Sequence, residues 1–164
     1  MHRAVTFAMA NAQRTVIAPA QLTADGSDFL FPTKKELETS GLDQITIARN
    51  GLAEADLALL KPHFVRNGKN VIIYAALRAT RPIVASAVLA PKLIDRFRET
   101  LGDELFVAVP NRFTAFVFPA LGKEYQQYAP MIIEAYRATP FPVSLEVFHV
   151  TADGWKAVGI FDDR

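Results

Sequence analysis

The chain of 164 residues contains no cysteine, which rules out a disulfide framework, a thiolate nucleophile and any zinc site built on cysteine. A reducing compartment is therefore permitted, and the cytoplasm is the expected one. Charge of either sign is not in excess. Eighteen basic residues stand against 17 acidic ones, a formal net charge of +1, which argues against a protein whose main task is to neutralise a phosphate backbone. Nucleic acid is not an expected partner. No apolar run approaches the 18 or so residues of a membrane-spanning helix, so no membrane association is expected. Residues 4 to 20 are apolar-rich, but Asn11, Gln13 and Arg14 interrupt them and only Arg3 precedes them, a poor match to a secretory leader. Glycine-rich phosphate loops are missing as well. Neither G-x-G-x-x-G nor a Walker lysine motif occurs, and Gly122-Lys123 lacks the upstream glycine of a P-loop.

What is present is dominated by Leu105 to Phe118, LFVAVPNRFTAFVF. Leu105, Val107 and Val109 fall on one parity of a strand and Phe106 and Ala108 on the other. Ala115 and Val117 alternate with Phe116 and Phe118 in the same way. Two strands covered on both faces are expected. Pro110 and Asn111 suit a β-turn, which predicts an antiparallel hairpin near the middle of a sheet with Asn111 and Arg112 at its exposed tip.

Around this hairpin the pattern is mixed. Residues 1 to 32 carry no consistent periodicity; Ala4 to Gln13 reads as a short helix, Thr15 to Ile17 and Phe29 to Phe31 as strand fragments, and Asp25-Gly26 as a turn. Thr33 followed by Glu36 is a capping box, and Ser40 with Asp43 repeats that signal more weakly. Ile45, Ala48, Leu52, Ala55 and Leu59 recur at helical spacing, with Gly51 as a weak point, and the helix is expected to end near Lys61 and Pro62. Val71 to Leu77 is a β-prone run. Ile83 to Ala90 and the stripe Leu93, Ile94, Phe97 and Leu101 predict helices, with Gly102 as the stop. Tyr125, Tyr128, Ile132, Ile133 and Tyr136 share a helical face despite Pro130, where the helix is expected to kink or start, and Asp153-Gly154 predicts a C-terminal hairpin. One domain over 1–164 is expected, with its core in 33–164. The class is α+β, a mixed or antiparallel sheet with helices packed against it, in an order that permits a split βαβ, ferredoxin-like arrangement with an added C-terminal hairpin.

Four stretches carry a resemblance: Ala48-Arg49-Asn50-Gly51-Leu52, Ala85-Ser86-Ala87-Val88-Leu89, Val107 to Arg112, and Phe141-Pro142-Val143-Ser144. Together they resemble a bacterial domain-of-unknown-function family, number 1444, also called uncharacterised protein family 0354. The resemblance spans residues 33 to 161 and implies a fold more than an activity. Phe113 stands where the family's turn motif has an acidic residue.

The candidate ligand-binding residues are Asn111 and Arg112 at the hairpin tip, with Arg78 and Arg81 beside the helix start at Pro82. Guanidinium groups hold carboxylates and phosphates through paired donors. The plainer reading makes Asn111 a turn residue and pairs Arg112 with Asp103 or Glu104. His2, His63 and His149 show no metal-ligand spacing, so no metal or cofactor is expected. Ser86 lies in no nucleophile elbow. Two functions follow. The first is a non-catalytic interaction or small-ligand-binding module; the second is a hydrolase or transferase acting on a small anion held by the arginines, with His63 or His149 as base. A protein partner, a small anionic ligand and a homodimer through the Tyr125, Tyr128 and Tyr136 face are the expected contacts.

Overall fold

The structure is a computed structural model that describes residues 5–25, 28–122 and 124–162. Ten strands and five helices follow in the order β1 (Phe7–Ala8), β2 (Val16–Ile17), β3 (Gln21–Leu22), β4 (Phe29–Leu30), α1 (Lys34–Ser40), α2 (Leu42–Leu59), β5 (His63–Arg66), β6 (Ile72–Arg78), α3 (Val84–Ala87), α4 (Leu93–Leu101), β7 (Leu105–Asn111), β8 (Thr114–Pro119), α5 (Ala129–Arg137), β9 (Glu146–Thr151) and β10 (Gly154–Ile160). A 3-10 turn, Glu124–Tyr128, leads into α5.

Six strands form one sheet in the order β10-β9-β7-β8-β6-β5, with every neighbouring pair antiparallel. The hairpin β7-β8 occupies the two central places. Val107 pairs with Val117 and Phe106 with Phe118, and Val107, Val117, Ala115 and Leu105 are fully buried. The two parities of these strands enter two separate cores. Leu105, Val107, Val109, Ala115 and Val117 meet Val84, Leu93, Phe97 and Leu57 of the helices on one face. Ala108, Phe116 and Phe118 meet Tyr125, Ile132 and Leu145 on the other. The architecture is therefore an antiparallel sheet between two helical layers, α2, α3 and α4 against α5, an α+β fold. β6 and β7 are each antiparallel to β8, which lies between them, so β6-α3-α4-β7 is a split βαβ unit and β8-α5-β9 a second. The ferredoxin-like arrangement expected from the chain order is not formed. Counted along the chain, β6 to β9 stand in the sheet as fourth-second-third-first, with the hairpin β7-β8 central and helices on both faces, whereas a ferredoxin-like sheet runs fourth-first-third-second with both helices on one face. β5 and the C-terminal strand β10 extend the edges.

Local signals act where their chemistry is strong. At α1 the Thr33 hydroxyl accepts the Glu36 N–H and the Glu36 carboxylate accepts the Thr33 N–H at 2.7 Å, a complete capping box. The bond from the Thr33 N–H, and after it one that the Thr33 hydroxyl donates to the carboxylate at 2.8 Å, hold the Glu36 carboxyl below its ordinary pKa. Gly41 stands at the N-cap of α2 with φ 74, where glycine carries no steric penalty, and no side chain caps that end. α4 buries Leu93, Phe97 and Leu101 and stops at Gly102, and Pro130 lies in the first turn of α5.

Five further expectations need correction. The described part of Ala4 to Gln13 is not a helix: β1 lies in it and pairs with β2 as a two-residue ribbon, and the expected turn at Asp25-Gly26 involves Gly26, outside the described residues. Pro110 is not in the turn. It lies within β7, where the pairing register with β8 shifts between Ala108 and Asn111, and a bulge tolerates a residue with no N–H to donate. The tip is Arg112-Phe113, and Asn111 is buried, only 5% exposed. Tyr125 is likewise buried and joins the core on the α5 side, with Tyr128 and Tyr136 partly buried against it, so the three tyrosines are not one exposed face. Finally, α2 turns Ala53, Leu57 and the adjoining Leu60 inward, while Leu52 and Leu59 stand 67% and 68% exposed.

Candidate functional site

Asn111 lies at the end of β7, where three segments meet. Its Nδ2 donates to the Ala135 carbonyl of α5 at 2.7 Å, and its Oδ1 accepts the Phe113 N–H at 2.8 Å. One side chain thus shapes the tip and ties it to α5. The backbone around it is equally engaged: the Ala79 N–H donates to the Phe113 carbonyl and the Val84 N–H to the Arg112 carbonyl, both at 3.0 Å, while the Val143 N–H donates to Pro110. Arg78, on β6, pairs with Thr114 of β8. The segments carrying Arg78, Arg81 and Arg112 therefore come to one end of the sheet, as a shared anion site requires.

Their side chains turn to different partners. The Arg112 guanidinium carbon lies 4.0 Å from the centre of the Phe29 ring and 5.7 Å from that of Phe141, a cation–π clamp. Burial lowers its pKa and the charge of Asp28 raises it in part; the group stays charged in any working range. Asp28, on the segment entering β4, is thus the acid near Arg112. The sequence candidates for that role are engaged elsewhere: Asp103 pairs with Arg98 at 2.7 Å and Glu104 with His149 at 2.8 Å. Arg81 acts on Asp56 of α2. Burial raises the Asp56 carboxyl above its ordinary value, and the hydrogen bond from Ser86 and the charge of Arg81 offset part of that rise. Ser86 Oγ lies 2.9 Å from the Ile83 carbonyl and 3.3 Å from Asp56 Oδ2, so it ties α3 to α2. Arg78 is exposed.

The histidines fall elsewhere. His63 is exposed on the edge strand β5, and His2 lies outside the described residues. His149 bonds to Glu104 and packs on Phe106, ring centres 5.2 Å apart. It is a sheet-face residue, as its parity with Leu145 and Val147 implies. Phe106 and Asn111 are five residues apart on β7, about 17 Å at a strand's rise, so the His149–Glu104 pair stands at the opposite end of the hairpin from Arg112.

The clefts of the described surface include one of about 220 Å³ beside Met9, Ile17, Arg49 and Trp155 and one of about 570 Å³ along Pro130, Ile133 and Arg137. Neither is lined by Asn111, Arg112, Arg78, Arg81 or a histidine. Among the described residues no group of three or more His, Asp or Glu could hold a metal ion, and no described helix is long and apolar enough to cross a membrane.

Sequence reasoning missed the polar cluster under β9. Glu146 is 3% exposed and accepts the Gln13 N–H at 2.6 Å, the Arg14 N–H at 3.3 Å and the Thr15 hydroxyl. Thr15 Oγ1 lies 2.6 Å from Ser144 Oγ, which accepts the Glu146 N–H at 2.9 Å. Each hydroxyl proton is used once if Ser144 donates to Thr15 and Thr15 to the carboxylate. Burial acts to raise the Glu146 pKa, but the bonds from the Thr15 hydroxyl and the N–H groups of Gln13, Arg14 and Thr15 outweigh it and hold the carboxyl below its ordinary value. The signal was available: Glu146 stands on the parity of Phe148 and Val150. An acid on the apolar side of a strand needs partners.

Comparisons of the chain with models of protein families, with curated proteins and with solved structures find no match.

Proposed function

We propose that this chain is a non-catalytic interaction module that engages its partner through the outer face of α2, and that it works in the cytoplasm. The observation that carries the reading is the stripe Ala48, Leu52, Ala55 and Leu59. These residues follow steps of four, three and four on an 18-residue helix, and all four are exposed, Leu52 and Leu59 by two-thirds. The opposite face of the same helix buries Ala53 and Leu57 in the core. A helix needs one apolar stripe to pack on its domain. α2 has two, and a contiguous apolar surface left in water is a mark of an interaction site.

The placement of the polar groups supports the same reading. Asn111 is engaged in two structural hydrogen bonds, Arg112 in an aromatic clamp, and His149, paired to the Glu104 carboxylate, stands far along β7 from the arginines. A hydrolase or transferase would require base and anion site within hydrogen-bond reach of one substrate.

Replacing Leu52 and Leu59 together by lysine tests the proposal. Surface substitutions away from structural features change stability by no more than about 0.5 kcal/mol, so the expected melt is that of the parent, while binding of an environment-sensitive apolar dye falls by at least half. A large loss of stability would instead make the stripe part of the fold. The enzyme reading is tested by thermal shift with phosphate, nucleotides and carboxylates. A ligand at a hundred times its Kd adds about 2.7 kcal/mol, and a shift abolished by Arg112→Ala would reinstate an anion site.

A further inference from the structure

We infer that the partner is a second copy of this chain, its α2 lying antiparallel to the first about a two-fold axis, with Leu52 of each copy seated against the partner's Ala55. This rests on the reading of α2 as the docking face and adds to it the identity and register of the occupant.

The steps of four, three and four from Ala48 to Leu59 are those of a heptad seam. Along it small and large residues alternate: alanine at 48 and 55, leucine at 52 and 59. An antiparallel pair places Leu52 against the partner's Ala55 and Leu59 against the partner's Ala48, so every layer holds one large and one small side chain. A parallel pair would stack leucine on leucine and leave alanine facing alanine across a gap. Packing of uniform density favours the first arrangement.

The flanks agree with it. On one side of the seam stand Arg49 and Asp56, seven residues apart. Antiparallel alignment brings Arg49 beside the partner's Asp56 and, by the two-fold, Asp56 beside the partner's Arg49. Two complementary pairs thus fix register and direction. The other side carries Gly51 and Ala58. Their small size lets the two backbones approach, and a Cβ built at Gly51 meets nothing within 4 Å inside its own chain.

Within the chain Asp56 is half-buried beside the charge of Arg81, while Arg49 is exposed at the rim of the cleft that Met9 and Trp155 line. Arg49 donates to Asn50 Oδ1 at 3.3 and 3.4 Å, and Asp56 accepts from Ser86 at 3.3 Å. An 18-residue helix is about 27 Å long. One such contact buries less than the roughly 800 Å² per partner of a standard interface, so the dimer is in equilibrium with monomer rather than obligate.

Sedimentation of the full chain between about 1 and 500 µM tests the inference. The expected mass rises from the 18.1 kDa of one chain towards twice that value, and Leu52→Lys holds it at the monomer. Arg49→Glu weakens association about tenfold or more, and the reversed pair Arg49→Glu with Asp56→Lys restores it to within a few-fold of the parent. A parent that stays monomeric, a dimer that survives Leu52→Lys, or one indifferent to Arg49→Glu overturns the inference. If Asp56→Lys disturbs the contact with Ser86 and lowers the melt, Arg49→Glu and Leu52→Lys decide the matter without it. The apolar dye separates the two levels: a monomeric parent whose dye binding is lost in Leu52→Lys removes self-pairing but leaves α2 a docking face. A monomeric parent that binds no dye removes both.

Discussion

Removing the Glu146 carboxylate should release the N-terminal segment from the sheet. Glu146→Ala leaves the N–H groups of Gln13 and Arg14 and the Thr15 hydroxyl without their acceptor. A hydrogen bond to a charged group contributes about 1.5 to 3 kcal/mol. Three such bonds do not add in full, because Gln13 and Arg14 are exposed and their N–H groups can turn to water; the equivalent of one to two bonds, about 3 kcal/mol, is the expected loss. It should appear as roughly a hundredfold faster amide exchange at Gln13 and Arg14. If the segment unfolds together with the domain, it also lowers Tm by about 6 to 12 °C, at 2 to 4 °C per kcal/mol for a chain of this size. The pH dependence has a fixed sign. Because the folded-state pKa of Glu146 is depressed, its contribution is complete above the unfolded carboxyl value of about 4.3 and is lost as pH falls through the folded value. Glu146→Gln should abolish that acid-side loss of protection while keeping one acceptor. Exchange at Gln13 and Arg14 unchanged in Glu146→Ala would refute the reasoning, as would an acid-side loss that persists in Glu146→Gln.

Three further outcomes follow from the fold. Val107→Asp places a charge at a fully buried position in the central strand pair; the cost is several kcal/mol, and a Tm within about 3 °C of the parent would contradict the two-core arrangement. Asn111→Ala breaks the bonds to Ala135 and Phe113 and should destabilise by about 2 to 4 kcal/mol, read by urea unfolding with an unchanged slope. Gly51→Ala fills open space on the α2 surface and should stabilise the monomer by about 0.5 to 1 kcal/mol, visible as a small rise in Tm at low protein concentration.

The hairpin was legible because both parities of Leu105–Phe118 are apolar, a pattern that a strand between two helical layers demands and few other placements tolerate. Thr33 with Glu36 and the stop at Gly102 were legible because caps act within a few residues. What could not be read was set by distant contacts. The helical period of Ile45 to Leu59 is real, but periodicity does not say which of two apolar stripes meets the core; Ala53 and Leu57 took that place. β5 is four residues long and β1 to β4 two each, too short for alternation to register. Pro110 was assigned to a turn by type, and only the bulge against β8 explains its place in a strand. At the candidate site, sequence put Asn111 and Arg112 at the correct end of the hairpin. It could not show that Phe29, some eighty residues earlier, would cover the guanidinium.

The orientation of the α2 pair can be measured most directly by disulfide trapping, because the chain has no cysteine of its own and any thiol is an introduced one. In the antiparallel register Ala48 faces the partner's Leu59, whereas the two copies of residue 48 stand eleven residues out of step, about 16 Å along the helix. That distance is far beyond the roughly 7 Å between Cα atoms that a disulfide spans. Ala48→Cys and Leu59→Cys proteins, mixed under mild oxidation, should form the mixed dimer rapidly while neither cross-links with itself. Self-cross-linking of each protein alone would show a parallel pair, and no cross-link in the mixture at concentrations where the parent sediments as a dimer would place the contact elsewhere than on the Leu52 face of α2.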